Sequence, residues 1–275
     1  MTKAQIEDIE LGLLMEAVFQ RYGYDFRHYA SASLKRRVKV LQTKMNFNTI
    51  SDVIPAVLHN KSIFETLAYN LSITVTAMFR DPIVYKTIRE KVVPYLKTYP
   101  FIKIWHAGCA TGEEVYSIAI LLKEEGLYDK AHIYATDFND AALAKAKEGI
   151  YSVNQIKEYT ENYQRAGGKS SFSDYYHAKY NSAIINRELK KNITFANHNL
   201  VTDSIFGEIH FVICRNVLIY FDRILQNRVL KLFNESLIQG GYMCLGTKET
   251  IQFSEIEKNF KEISRREKLF QKKLH

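Results

Sequence analysis

The stretch WHAGCATGEE, residues 105–114, closes the apolar run FIKIWHA and opens the helical pattern EEVYSIAILLKEE. A strand, a glycine turn and a helix in that order make one βα unit of an open α/β sheet, where ligands sit beyond the carboxyl ends of the strands. Gly108 and Gly112 are spaced G-x-x-x-G, which is not the dinucleotide G-x-G-x-x-G. No Lys-Ser or Lys-Thr follows, so the loop is not a P-loop either. Glu113 and Glu114 begin the helix, where its dipole favours carboxylates but where their charges repel a pyrophosphate.

Two readings of the pair stay open. The glutamates stabilise the helix start, or they also mark a cationic or zwitterionic ligand. S-adenosylmethionine satisfies the second, having an ammonium and a sulfonium but no phosphate. Asp137 ends the next strand pattern, HIYATD, where an adenosine-binding fold places a carboxylate under the ribose hydroxyls; a turn-forming aspartate is the other reading.

Outward from the loop, strands alternate with helices. A helix starting at Asp81 and Pro82 is expected to run toward Pro94. After HIYATD come helix NDAALAKAKEG, strands ITFANHN and IHFVICRN, helix RILQNRVLKLFNESL, and a Gly240-Gly241 turn into YMCLGT. This alternation predicts a parallel, doubly wound sheet. Between Gly149 and Asn192 it lapses into a polar, tyrosine-rich stretch, too long for a crossover loop, which predicts a small inserted β subdomain over approximately 155–192. Upstream, Ile6, Ile9, Leu13 and Val18 recur at helical spacing up to Gly23. Leu34, Val38, Leu41 and Met45 share a face of a second helix, and Ser62 with Glu65 fits a capping box. Residues 1–76 therefore read as a helical domain and 77–275 as the α/β domain.

The 275 residues are 47% hydrophobic, enough for an ordinary core. The N-terminus lacks the basic and apolar regions of a signal peptide, and no apolar run reaches the roughly 18 residues of a membrane span. Cys109, Cys214 and Cys244 have neither disulfide nor metal-ligand spacing. A cytoplasmic, monomeric protein without a metal is expected. The net charge of +8 favours an acidic partner, and no acid interrupts the basic residues between Asp25 and Asp52. Lys35, Arg36, Arg37 and Lys39 form a stripe there, read either as a solvated helix face or as a docking site for an acidic helix.

The segments WHAGCATGEEVYSIA, IYATDFNDAALAKAKEGIY, NHNL and FVICRNVLIYFD resemble, in order and spacing, those of the CheR-type chemoreceptor glutamate methyltransferases. YGYDFRHYASASLKRRV and TVTAMFRD match in kind. The resemblance spans nearly the whole chain. It implies a helical domain that recognises substrate, a Rossmann-like methyltransferase domain with an inserted β subdomain, S-adenosylmethionine as cofactor and S-adenosylhomocysteine as product. Its implied substrate is glutamate on the cytoplasmic helices of chemoreceptors. By position, Thr76, Arg80, Gly108, Glu114, Asp137, Asn199, Leu200, Arg215, Asn216 and Tyr220 would line the cofactor pocket. Arg80 and Tyr220 would lie nearest the methyl, as catalytic residues, and Lys35, Arg36, Arg37 and Lys39 would bind substrate. In some relatives the insert docks a receptor tail as an added strand. Thr74, Met78 and Val115 depart from the family's usual Asn, Phe and Pro, and GTKET is a loose match that leaves Lys248 and Glu249 without an assigned role.

A carboxylate acceptor is ionised at neutral pH, so no strong general base is required. None is offered by the spacing of the eight histidines. A nucleic-acid methyltransferase is disfavoured, because the chain lacks Asn-Pro-Pro-Tyr, a catalytic Cys-Pro pair and an aromatic RNA platform. The residues leave room for a non-chemotaxis sensor protein as substrate, and for an S-adenosylmethionine-binding module without turnover.

Overall fold

The computed structural model describes residues 1–71 and 76–274. They divide into two units, Met1–Ile73 with Ile219–Val229, and Thr74–Leu218 with Leu230–His275.

The smaller unit is helical. Helix α1 (Lys3–Tyr22) starts with a capping box between Thr2 and Gln5 and ends at Gly23 in the left-handed conformation, φ 77°. It buries Leu11, Leu14, Met15 and Val18, whereas Ile6, Ile9 and Leu13 face outward. The apolar residues of α1 form more than one stripe, and spacing alone did not choose the one that packs. Helix α2 (Ser31–Lys44) buries Leu34, Val38 and Leu41, and α3 (Val53–His59) and α4 (Lys61–Leu71) complete the layer. The expected Ser62–Glu65 box does not form. Asn60 accepts both the Ser62 amide (3.0 Å) and the Ser62 hydroxyl (2.8 Å) through Oδ1, so the cap stands earlier in the chain. The segment 219–229 joins this unit through backbone bonds from Ala30 to Tyr220 (2.8 Å) and from Asp222 to His28 (2.8 Å), and through Tyr29 packed edge-on to Phe221.

In the larger unit, α5 (Pro82–Thr87), a π turn (Ile88–Val92) and α6 (Val93–Leu96) make one helical run. Pro94 lies inside it; its missing N–H interrupts the ladder, and a π turn directly before it absorbs the mismatch. The strands are β1 (Ile102–Ala107), β2 (Ala131–Asp137), β3 (Ile150–Ser152), β4 (Tyr176–Lys179), β5 (Ser182–Ile185), β6 (Ile193–Asn197), β7 (Ile209–Cys214), β8 (Leu237–Leu245), β9 (Phe260–Ser264) and β10 (Leu269–Lys272). Seven form one sheet in the order β6-β2-β1-β7-β8-β10-β9. The first five are parallel, but β10 runs antiparallel to both neighbours. The sheet is thus mixed and Rossmann-like, where an all-parallel one was expected. Gly240 and Gly241 are not a turn. They lie within β8, in the stretch facing a register shift against β7 between Ile209 and Phe211, a common place for strand glycines.

Helices α7 (Glu113–Glu124) and α8 (Asp140–Glu148) follow β1 and β2, and α10 (Arg223–Ser236) precedes β8. Every residue of α7 from Glu113 to Leu122 is buried. The inserted stretch pairs β3, β5 and β4 into a small antiparallel sheet, but it also carries α9 (Val153–Arg165), so it is not purely β. Four of its aromatic residues are core: Tyr159, Tyr163, Phe172 and Tyr175 belong to the same apolar cluster as α7, whereas Tyr180 is exposed. The Tyr175 hydroxyl donates to Glu124 Oε1 (2.9 Å), as does that of Tyr163, and Arg89 pairs with the other oxygen. The tyrosine richness of the insert therefore covers one end of α7.

Candidate active site

Strand β1 lies between β2 and β7, so successive connections leave it in opposite directions and the carboxyl ends of β1, β2 and β7 border one crevice. The loop 108–112 starts there. Its first amides, those of Gly108 and Cys109, donate to the Thr136 carbonyl at 2.8 and 2.9 Å. Gly108 and Gly112 have φ 72° and 89°, and a Cβ on Gly108 would lie 2.5 Å from Val217 Cγ2, one on Gly112 2.9 Å from Ala146 Cβ. The glycines thus satisfy backbone conformation and packing within the protein. They fold the loop tightly against its own neighbours.

Asp137 is nearly buried at the end of β2. Its Oδ2 accepts the Ala110 amide and its Oδ1 the Asn139 amide, both at 2.9 Å. Burial raises its carboxyl pKa against the pull of those amides. With the Phe138 amide as a third donor, three of the carboxylate's four lone-pair positions are used, which leaves one to accept a ligand hydroxyl. The Asp137 carbonyl accepts the His198 amide (3.1 Å), which anchors the turn holding Asn199 and Leu200. There Asn199 Oδ1 accepts the Val201 amide (3.0 Å), and Leu200 is buried.

Glu114 and Arg215 meet although 101 positions separate them. The Arg215 side chain is 1% exposed; its Nη1 pairs with Glu114 Oε1 and also donates to the Arg80 carbonyl (3.2 Å), while Nη2 reaches Asp81 Oδ2 (2.6 Å). Tyr85 donates to Glu114 Oε1 (3.3 Å), and His106 Nε2 lies 3.1 Å from Oε2. Burial alone would raise the Glu114 carboxyl, but Arg215 and then His106 overcome it and hold it at about 2. The Asp81 side chain therefore serves this pair and makes no capping bond at the start of α5. Glu113 behaves oppositely: burial pushes it up to about 7 against the Thr111 hydroxyl bond (2.7 Å), its own backbone amide and Lys145.

Arg80 lies in a turn between Phe79 and Asp81, which have φ 52° and 56°. Ala110 (φ 48°) and Asn216 (φ 62°) are likewise left-handed. Such residues cost about 1–3 kcal/mol each and persist where the surroundings enforce them, often around ligand sites. The Asn216 amide donates to the buried Glu249 carboxylate (3.2 Å), which also takes the Gly246 amide. Thr76 is half-buried, just after the undescribed residues, and Thr74 lies outside the described ones.

Tyr220 belongs to the helical unit. Its ring lies 5.7 Å from the Arg37 guanidinium, and Arg37 also donates to the Asn70 carbonyl (2.9 Å). Arg36 is exposed, and with Arg37, Val40 and Asn70 it lines a surface hollow of about 220 Å³. The other two residues of the basic stripe turn away: Lys35 pairs with Glu7 (3.2 Å) and Asp8 (2.8 Å), and Lys39 with Glu7 (2.8 Å).

Two family models cover most of the chain. Residues 9–72 match the all-alpha domain of CheR methyltransferases and residues 74–269 their SAM binding domain. The chain belongs to the CheR methyltransferase family. It is 48% identical to Cher3 of Pseudomonas putida, over 99% of this chain and 100% of that one. It is 29% identical to the chemotaxis protein methyltransferase of Listeria innocua (90% and 92% covered) and 28% to chemotaxis protein methyltransferase 1 of Vibrio cholerae (79% and 80%).

As a CheR methyltransferase the chain uses S-adenosylmethionine, and the crevice fits it. Two buried carboxylates occupy the helix start where a phosphate would otherwise bind, and Asp137 stands at the β2 end. Among the described residues no cluster of three or more His, Cys, Asp or Glu side chains forms a metal site, and no helix is long and apolar enough to cross a membrane. Sequence reasoning missed His106 and Tyr85 and left Glu249 without a role. Tyr85 reaches Glu114 across 29 positions and Glu249 reaches Asn216 across 33, whereas His106 lies only eight positions from Glu114 and its strand-end position was a local signal.

Proposed function

We propose that the chain transfers the S-adenosylmethionine methyl group to glutamate side chains on the cytoplasmic helices of chemoreceptors. The observation that carries this reading is the turn bearing Arg80, clamped by the buried Arg215 at the carboxyl end of β7. An arginine on that turn suits an acidic acceptor. The names of the Listeria and Vibrio relatives support the same direction.

When bound, S-adenosylmethionine supplies a methyl on a sulfonium, whose C–S electron pair leaves with sulfur as the acceptor oxygen forms the new C–O bond. The protein's task is to position and to exclude water. Arg80 orients the acceptor carboxylate through its planar donor fork. Asp137 holds the ribose hydroxyls, Glu114 or its neighbour Glu113 faces the cationic tail, and Thr76, Asn199, Leu200, Arg215 and Asn216 complete the lining. In the helical unit, Tyr220 with Arg36 and Arg37 receives and steers the acidic helix. No thiol competes as nucleophile: burial pushes Cys109 and Cys214 well above the ordinary thiol range and Cys244 to about 12.

The insert also leaves β4 as an edge strand, mostly exposed, a surface suited to adding a receptor tail as a further strand. The test of the proposal is methylation of a purified chemoreceptor cytoplasmic domain by wild type and by Arg80→Ala. Mass spectrometry should find methyl esters on glutamate with wild type, and kcat/KM should fall about a hundredfold in the variant. Methylation on lysine or nucleotides, or equal rates, would refute it.

A further inference from the structure

We propose that Phe79 is a positioning residue for methyl transfer, through which the inserted subdomain holds the Arg80 turn in its working conformation. The inference rests on the reading that Arg80 acts at the reacting centre. Phe79 is fully buried yet left-handed (φ 52°) and lies beside the half-buried Arg80. A bulky residue in that conformation is stable only when its surroundings fix it.

Those surroundings come largely from the insert. The Phe79 ring lies 5.2 Å from Tyr163 and 6.3 Å from Phe172, both edge-on, and 5.0 Å from Tyr85. Asn162, on the same insert helix as Tyr163, donates to the Met78 carbonyl (3.3 Å). On the other side the Phe79 amide donates to Ser117 Oγ (2.9 Å), whose hydroxyl donates to the Glu113 carbonyl (2.8 Å) at the start of α7. The insert reaches the glycine loop as well, where the Tyr151 hydroxyl donates to the Thr111 carbonyl (2.8 Å). Arg215 then clamps the next two residues, Arg80 by its carbonyl and Asp81 by its carboxylate. The turn is thus held from both ends, by aromatic packing before Arg80 and by an ion pair after it. Removing the aromatic anchor frees φ at residue 79 and swings Arg80, while Asp137, Asn199 and Leu200 at the other strand ends keep their places.

The experiment is a double-mutant cycle on the full chain, with Phe79→Leu, Arg80→Ala and both together, assayed with labelled S-adenosylmethionine and a chemoreceptor cytoplasmic domain. Melting temperature and S-adenosylmethionine affinity are read alongside. Phe79→Leu should lower kcat about tenfold with cofactor affinity changed less than about twofold. In the Arg80→Ala background the same change should have less than about a twofold effect. Asn162→Ala, milder and half-exposed, should lower kcat in the same sense and lose its effect in the same background, so the test stands even if Phe79→Leu folds poorly. Equal loss in both backgrounds, or no loss from Phe79→Leu and Asn162→Ala while Arg80→Ala is impaired, overturns the inference alone. No loss from Arg80→Ala overturns the proposed role of Arg80 itself.

Discussion

The two adjacent glutamates at the start of α7 have opposite energetics: Glu114 is in contact with the buried Arg215, whereas at Glu113 burial outweighs the Thr111 hydroxyl bond and Lys145. Glu114 is held at about 2, below its ordinary 4.5, so the stability it contributes is complete above pH 4.5 and lost as pH falls toward 2. Glu114→Gln should leave the buried Arg215 with only the more exposed Asp81 as its anion, costing up to about 3–5 kcal/mol at neutral pH. In chemical denaturation the gap between wild type and variant should shrink below pH 4.5; a constant gap would mean that the ion pair is not its source. Glu113 is raised to about 7, so the stability that goes with its neutral form is present below pH 4.5 and lost as pH rises through 7. Glu113→Gln should match wild type near pH 4.5 and exceed it at pH 8 by up to about 3 kcal/mol, measured on the cofactor-free protein.

Between β1 and α7 the loop packs closely against its own fold. Gly108→Ala would force a left-handed alanine into Val217, and a loss of about 1–3 kcal/mol with weaker S-adenosylmethionine binding is expected by calorimetry. An unchanged Tm and affinity would show that the loop has room. This βα unit was legible in the sequence because its apolar runs, glycines and acids are all local. Other elements were not. The Glu114–Arg215 pair joins residues 101 positions apart, and the register shift that places Gly240 and Gly241 inside β8 depends on a partner strand. Ile6, Ile9 and Leu13 satisfy helical spacing as well as the residues that pack, and which stripe is buried is a tertiary decision. The basic stripe was legible as charge, but not that α1 supplies Glu7 and Asp8 to neutralise Lys35 and Lys39.

At the scale of the molecule, the chain returns to its helical unit after most of the larger unit has been laid down. Tyr29 packs on Phe221, His28 pairs with Asp222 at 2.9 Å, and Arg37 sits over Tyr220. A fragment of residues 1–73 lacks these partners and should melt well below the full chain by circular dichroism, with a broad transition; a cooperative melt at the full chain's temperature would contradict the shared packing. The arrangement also gives Tyr220 and the basic residues of α2 a common unit, as expected if both serve the incoming acceptor. The most direct measurement is incubation of the pure protein with methyl-labelled S-adenosylmethionine and receptor-containing membranes, followed by mild alkali. Label on a receptor band, released as methanol, is the predicted result. Alkali-stable label, or no label on protein while cofactor binding is intact, would contradict glutamate methylation.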